Sequence, residues 1–485
     1  MRIEDFLARH GIQRNPFANA EEAQGDGVFA NILESKQFRY GHPQWPKFCG
    51  APPGTQSSIV FGLKGSGKTA MRLALSSSIK AHNQTHEDDR VLLIEYSDFN
   101  YALDNWQENM DRKLRRQRRS ARRRRGEPEP EATLARDWSL AHHVDAILSQ
   151  ATLLFPDLLQ QKDARPRKWD PHVKSDVLFL AAAFLPQRSL EYRRNMETLS
   201  NRLFTGGAKL KRRVSRILGG VFTLGLAPLR EWVYSRRVAK RLASAIDVVE
   251  NNTVDRAWGF RFLSSRFLKS QPLLAEDVDA HHDGSRFELL GRLLRVARQC
   301  GYARIAVVID KVDEPELIRG NYDRISDFIL PLWNNKLLQT EGIEFKMLLP
   351  AQLYRTIRKA DSNLLNTARL DKTNTIYPFT WSGNHLYEML TERLNVCREG
   401  DEEYELSSLL DAAVSRDALI QQLSNMRIPR YANKFMNRLL SEACEGLLAS
   451  DVTDAPVISL DVFHRVCSVM ENEIKNEARD LLEMD

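Results

Sequence analysis

The chain has 485 residues, of which 42% are hydrophobic and 28% are charged, and its formal net charge is +6. This composition is typical of a soluble globular protein, and the length is sufficient for two to four domains with buried cores. The five cysteines form no C-x-x-C pair, which argues against a disulfide framework or a zinc site and predicts a reducing, cytoplasmic location. Charged residues follow Met1 closely, so we expect no secretion signal.

Residues 1–57 are predicted to form an N-terminal arm. A short helix from Ile3 to His10 precedes Asn15-Pro16-Phe17, and a connector rich in proline and glycine runs from Gly41 to Thr55. The arm leads directly into an apolar, β-branched run that begins at Ser58, which predicts the first strand of the core.

The most informative motif follows that strand and fits G-x-x-x-x-G-K-[ST] at every fixed position. Helix formers follow it, so strand, glycine-rich loop and helix stand in the order that a phosphate-binding loop requires. Glycines let successive backbone N–H groups point inward at phosphates, Lys68 would reach the β- and γ-phosphates, and the Thr69 hydroxyl would bind Mg²⁺. ATP and Mg²⁺ are therefore the predicted cofactors, and the predicted binding residues are Gly62, Gly65, Ser66, Gly67, Lys68 and Thr69.

A second buried strand is predicted from Arg90 to Tyr96, so residues 58–100 form the first half of an ATPase core. The pattern then changes, and residues 101–286 are predicted to be a helical, basic insertion. One of its helices is indicated by apolar residues at spacings of three and four from Val144 to Phe155. An apolar stretch from Ile217 to Leu229 is shorter than the roughly 20 residues of a membrane span, so we expect a buried helix or an interfacial segment and no transmembrane span.

Two basic regions lie within the insertion. Ten of the fourteen residues from Arg112 to Arg125 are Lys or Arg, and a second basic region spans residues 209–241 around the apolar stretch. Such runs can bind nucleic acid through its phosphates, although the first run has no interleaved aromatic residues and a solvated loop is the alternative. The second region could equally face acidic lipid or a protein.

The second half of the core is predicted over residues 287–382. A helix from Phe287 to Cys300 precedes a buried strand that delivers Asp310 to its carboxyl end, where an acid would hold Mg²⁺. Asp313 or Glu314 would then be the general base that activates water, and the residues leave this choice open. The remaining predicted elements are a helix from Tyr322 to Leu338, a strand over Glu344 to Leu349 and an edge strand over Thr375 to Phe379.

The rest of the chain is predicted to be helical. Residues 383–450 form a helical lid, with helices over His385 to Cys397, Arg416 to Met426 and Arg430 to Glu445. Residues 451–485 form a C-terminal helix, which is predicted over Leu460 to Leu482. The predicted fold class is therefore α/β: a P-loop NTPase core with a parallel sheet, interrupted by a long helical insertion and followed by a helical lid.

These motifs together resemble the additional-strand P-loop ATPases, the AAA+ proteins and their STAND and KAP-like relatives, over roughly residues 58–100 and 290–450. AAA+ members usually place Glu directly after the Mg²⁺-binding Asp, whereas Lys311 stands there in this chain, which is nearer to the STAND and KAP-like pattern. The resemblance implies three further site residues: Gln352 as a polar sensor, Arg430 as the arginine of a sensor-2 motif that binds phosphate, and Arg369 as an arginine finger, a role for which Arg355 and Arg358 compete.

The resemblance also implies a function, which is an ATP-hydrolysing molecular switch or motor that acts on a partner or on nucleic acid. Relatives of this kind include ATPases of bacterial antiphage defence systems, which implies a homo-oligomer working beside a separate effector protein. The alternative is a non-hydrolysing, ATP-gated scaffold that binds nucleic acid or a membrane surface.

Overall fold

The structure is a computed structural model, and it describes most of the chain outside the predicted insertion. The described residues are 1–18, 22–35, 41–104, 106–107, 110–111, 138–155, 283–360, 374–400, 403–445 and 455–483, with single positions at 158, 173, 176, 177, 180 and 184. They form two compact units. The first contains residues 1–81 and the described residues from Lys346 onward, and the second contains the described residues from His82 to Phe345.

The strands form a five-stranded parallel sheet, so the prediction of an α/β fold with a parallel sheet is confirmed. The strands are β1 (Ser58–Gly62), β2 (Arg90–Tyr96), β3 (Tyr302–Ile309), β4 (Ile343–Pro350) and β5 (Asn374–Phe379). Their order is β2-β3-β4-β1-β5, and β5 is an edge strand, as Pro378 predicts. In the first unit, β1 pairs with β4 from Ser58 opposite Lys346 to Gly62 opposite Pro350.

Helices of the first unit surround β1 and form the C-terminal bundle. They are α1 (Ile3–Ala8), α2 (Gly27–Glu34), α3 (Trp45–Cys49), α4 (Lys68–Thr85), α9 (Ala351–Ala360), α10 (Gly383–Val396), α11 (Arg416–Met426), α12 (Pro429–Glu445) and α13 (Leu460–Glu483). Helices α3 and α9 pack against β1, and α10 packs against α2, α11 and α12. Each of the helices predicted after residue 383 is confirmed, because the three- and four-residue spacing of their apolar positions continues over several turns.

The N-terminal arm is fastened to α10 by a buried ion pair. Nη1 of Arg393 lies 2.7 Å from a carboxylate oxygen of Asp26, and both side chains are buried. The same guanidinium donates two hydrogen bonds to the carbonyl of Pro16, at 3.0 and 2.7 Å. Asp26 in turn accepts from the N–H groups of Val28 and Phe29 and so caps α2. One arginine therefore orders the arm on the helical bundle.

Helices of the second unit flank β2 and β3. They are α5 (Leu140–Leu153), α6 (Asp283–Gln299), α7 (Tyr322–Ile329) and α8 (Asn335–Leu338). Helix α5 packs against β2 and α6, and Arg286 joins α6 to α5 by a bidentate contact with Asp145 at 2.9 and 3.1 Å. Burial lowers the pKa of His143 on α5 to about 3, and Nε2 of this neutral ring lies within hydrogen-bond distance of the Trp138 indole and of the carbonyl of Phe328.

The prediction of one helix from Tyr322 to Leu338 is wrong. The helix ends at Ile329, a 3-10 turn covers Leu330–Leu332, and α8 begins only at Asn335. Pro331 has no N–H to continue the α-helical pattern, and the side chain of Asn334 accepts from the N–H of Leu337 and starts a new helix. Across the part of the chain that the structure describes, no helix has the length and apolarity needed to cross a membrane.

Candidate nucleotide-binding site

The glycine-rich motif forms a curled loop between β1 and α4. Strand β1 ends at Gly62 and α4 begins at Lys68, so strand, loop and helix follow one another as predicted. Gly65 and Gly67 have φ angles of +81° and +96°, a backbone region that side chains other than glycine rarely adopt. The loop therefore presents its last N–H groups together with the N-terminus of an 18-residue helix, which is the arrangement that binds anions.

The interior of the loop leaves no space for a side chain at Gly62. An ideal Cβ at this position would lie 2.5 Å from Oγ of Ser66 and 3.0 Å from the ring of Phe379. Ser66 is completely buried, and its Oγ has no hydrogen-bond partner among the described residues. A close backbone approach and a buried hydroxyl that the described residues leave without a partner both fit a loop that binds phosphate.

Lys68 lies over the start of the loop. Its Nζ donates to the carbonyl of Gly62 at 2.9 Å and to the carbonyl of Leu63 at 3.0 Å. The ammonium is thus held at the start of the glycine-rich loop.

Arg430 is the second predicted site residue that the structure brings to this loop. It is the second residue of α12, and its N–H donates to the carbonyl of Gly65 at 3.3 Å. An ideal Cβ on Gly65 would lie 2.7 Å from Cβ of Arg430, so the two residues are in direct contact. Helix α12 therefore begins on the glycine-rich loop.

Trp381 is a loop contact that the sequence did not indicate. Its indole Nε1 donates to the carbonyl of Ser66 at 2.9 Å, and its backbone N–H donates to the carbonyl of Arg427 at 3.2 Å. Trp381 lies between β5 and Ser382, the N-cap residue of α10. A tryptophan at such a position is predicted to be an ordinary residue of the hydrophobic core. The 315 residues that separate it from Ser66 leave no local pattern from which the contact could have been predicted.

His42 supports Trp381 from the N-terminal arm. The two rings meet edge to face with centroids 4.8 Å apart, and His42 also contacts the ring of Phe379. Burial lowers the pKa of His42 to about 4, so the imidazole is neutral near pH 7. Nδ1 accepts from the N–H of Gln44, and Nε2 therefore donates to the carbonyl of Thr380.

The predicted acids lie in the second unit, at the carboxyl end of β3. Residues Ile305 to Ile309 are completely buried, and Asp310 follows them with only 2% of its surface exposed. Lys311 has a φ angle of +64°, which turns the chain sharply after Asp310. The turn is closed by hydrogen bonds from the N–H of Glu314 to Lys311 and from the N–H of Gly320 to Asp313.

The two candidate bases differ in exposure. The Glu314 side chain is 61% exposed and lies 3.3 Å from Nζ of Lys311. Asp313 is half-buried. Glu314 thus presents the more accessible carboxylate of the two.

The other predicted site residues are placed in part. Gln352 is the second residue of α9, half-buried, directly after β4. Arg369 and the basic regions 112–125 and 209–241 lie outside the described residues. Within the described ranges, no group of three or more His, Cys, Asp or Glu side chains could hold a metal ion by itself.

Comparisons of this chain with protein-family models, with curated proteins and with solved structures found no match.

Proposed function

We propose that this protein binds ATP with Mg²⁺ at the loop from Gly62 to Thr69 and hydrolyses it. The observation that carries the proposal is the geometry of that loop: two glycines with positive φ, a buried hydroxyl that has no hydrogen-bond partner in the described part of the chain, and Lys68 at the mouth. A chance glycine-rich turn would not need these features together at the N-terminus of a long helix.

The order of the strands supports the additional-strand class within the P-loop ATPases. Strand β4 is inserted between β1, which precedes the loop, and β3, which ends at Asp310. Ligands of parallel α/β sheets bind at the carboxyl ends of the strands, and the loop, Asp310 and Gln352 each directly follow such an end.

In the proposed reaction, Lys68 and the loop N–H groups bind the β- and γ-phosphates. Thr69 and Asp310 would hold Mg²⁺, which when bound would neutralise charge on the phosphate oxygens. Glu314 or Asp313 accepts a proton from water as the water oxygen bonds to the γ-phosphorus and the bond to the β–γ bridging oxygen breaks. The products are ADP and inorganic phosphate, and Arg430 stabilises the negative charge from the lid side.

Binding is tested by calorimetric titration with a non-hydrolysable ATP analogue, adenylyl imidodiphosphate, in the presence of Mg²⁺. We expect Lys68→Met to weaken binding at least tenfold, because the lysine contacts the phosphates. Lys64→Met is the matched control, because Lys64 is an exposed lysine in the same loop. The affinity of this variant for the analogue should stay within twofold of that of the unaltered protein. Absence of binding by the unaltered protein, or equal loss in both variants, would contradict the proposal.

Hydrolysis is tested separately by release of inorganic phosphate, alone and with added DNA or RNA. Phosphate release by the unaltered protein that is absent in Lys68→Met would support the proposal that the protein hydrolyses ATP. Binding without turnover under every condition would instead favour the non-hydrolysing scaffold, in which bound ATP has a structural or gating role.

A further inference from the structure

We propose that Trp381 is a positioning residue of the phosphate-binding loop and links the loop to the helical lid. This inference rests on the proposed function, since it assigns a role within the same ATP site. It is carried by the hydrogen bond from the Trp381 indole to the carbonyl of Ser66, a contact that lies inside the first unit.

The bond controls the orientation of one peptide plane of the loop. In a trans peptide the carbonyl and the following N–H point in opposite directions. Because the indole holds the carbonyl of Ser66, it also sets the direction of the N–H of Gly67, the residue that precedes α4. Gly67 has a positive φ, a region in which glycine rotates at little steric cost, so the indole donor contributes directly to the orientation of this peptide.

The neighbouring peptide is held from the same side. The N–H of Arg430 donates to the carbonyl of Gly65, so two consecutive loop carbonyls accept from residues outside the loop. Both donors belong to segments that follow β5, whereas the loop follows β1. The loop is therefore not oriented by its own sequence alone.

Trp381 is itself fixed by the lid. Its backbone N–H donates to the carbonyl of Arg427, which ends α11 in a left-handed conformation just before α12 begins. On the other side it precedes Ser382, the N-cap of α10. The ring is 6% exposed and packs against neutral His42. A rotation of α10 or α12 would thus be transmitted to the Ser66–Gly67 peptide, and binding of phosphate there would in turn restrain the lid.

The test is Trp381→Phe in the full chain, which removes the indole donor and keeps an aromatic ring. We expect the affinity for adenylyl imidodiphosphate to fall about fivefold to tenfold, as for loss of one hydrogen bond. Affinity for ADP should fall similarly, because the β-phosphate contacts the same loop. Trp106→Phe is the matched control: Trp106 is buried, its indole has no hydrogen-bond partner among the described residues, and its variant should bind within twofold.

Unchanged affinity in Trp381→Phe, with binding by the unaltered protein intact, would overturn this inference and leave the proposed function standing. Absence of binding by the unaltered protein would overturn the proposed function first. A second measurement covers the case in which the variant does not fold. In the unaltered protein, hydrogen exchange of residues 62–69 and 380–383 should slow together when the analogue binds. Protection confined to residues 62–69 would show that Trp381 does not couple the two segments.

Discussion

Arg430 and Gly65 are in van der Waals and hydrogen-bond contact, so the helix α12 begins directly on the loop that follows β1. The N–H of Arg430 donates to the carbonyl of Gly65 at 3.3 Å, and an ideal Cβ on Gly65 would lie 2.7 Å from Cβ of Arg430. The contact requires that residue 65 carry no side chain. It also places the guanidinium of Arg430 beside the candidate phosphate site, where a cation would stabilise a triphosphate.

Gly65→Ala is expected to weaken binding of adenylyl imidodiphosphate at least tenfold. The added methyl group would meet Arg430 and would strain a φ angle of +81°, so both the loop and the start of α12 must shift. Gly25→Ala is the matched control, because Gly25 has a φ of +96° but no atom within 4 Å of an added Cβ. It should lose about 1 kcal/mol of stability by strain alone and keep its affinity. Equal affinity in the two variants would mean that the Arg430 contact does not matter for binding.

Glu314→Gln is expected to lower kcat for ATP hydrolysis about a hundredfold while binding of the analogue stays within twofold. The reason is that the amide cannot accept the proton of water, whereas the phosphate contacts are unchanged. Asp313→Asn should have the smaller effect, because its side chain is less accessible. Glu316→Gln, which alters an exposed acid two residues further on, is the control and should retain activity.

The reverse ranking of the first two variants would assign the base to Asp313. Full hydrolysis in both variants would contradict the proposal that an acid in this turn activates water.

Arg393→Ala is expected to destabilise the protein by about 3–5 kcal/mol, measured by urea unfolding. It leaves the buried carboxylate of Asp26 without its ion pair and removes two donors from the carbonyl of Pro16. Arg2→Ala breaks the exposed pair with Asp5 and should change stability by less than about 1 kcal/mol. Similar values for the two variants would mean that the arm is not held by Arg393.

Acid is expected to destabilise the protein through His42 as the pH falls from about 6.5 to about 4. Burial lowers the pKa of His42 to about 4 in the folded state, so between these values the unfolded chain binds a proton that the folded chain does not. The stabilisation is therefore fully present above pH 6.5 and is lost as the pH falls, by up to about 1.4 kcal/mol per pH unit.

The measurement is the free energy of unfolding in urea at several pH values, for the unaltered protein and for His42→Gln. In the variant, the free energy of unfolding should change less steeply with pH over this range, because unfolding takes up about one proton fewer. His464→Gln, which alters an exposed histidine, is the control for the substitution itself. An identical slope in His42→Gln and the unaltered protein would contradict the assignment.

The sequence predicted the secondary structure of the core well where apolar residues form a continuous or regularly spaced pattern. The run before Asp310 is a buried central strand, and the segment from Arg416 to Met426 is a helix at the predicted boundaries. The prediction of one helix between Tyr322 and Leu338 was wrong. The helical spacing of apolar residues continues across Pro331, but the proline has no N–H and the helix ends there. Local periodicity does not register that single missing donor.

The strand order was not available from the sequence. Each strand is indicated by its own composition, but the position of β4 beside β1 depends on hydrogen bonds between residues almost 290 positions apart, such as the pairing of Ser58 with Lys346. The burial of Lys346 also could not be predicted from the sequence. A lysine in an apolar strand is buried because its Nζ donates to the carbonyl groups of Phe48 and Cys49 at the end of α3.

The sequence by itself determined the glycine-rich loop, because glycine tolerates the positive φ angles found at Gly65 and Gly67, and the chemistry of Lys68 and Thr69 belongs to the residues themselves. Only the tertiary structure decided what orients that loop. The carbonyl groups of Gly65 and Ser66 need donors, and the fold supplies them from Arg430 and Trp381, more than 300 residues away in the chain. Local patterns encode local backbone geometry, whereas donors contributed by distant segments exist only after those segments have packed together.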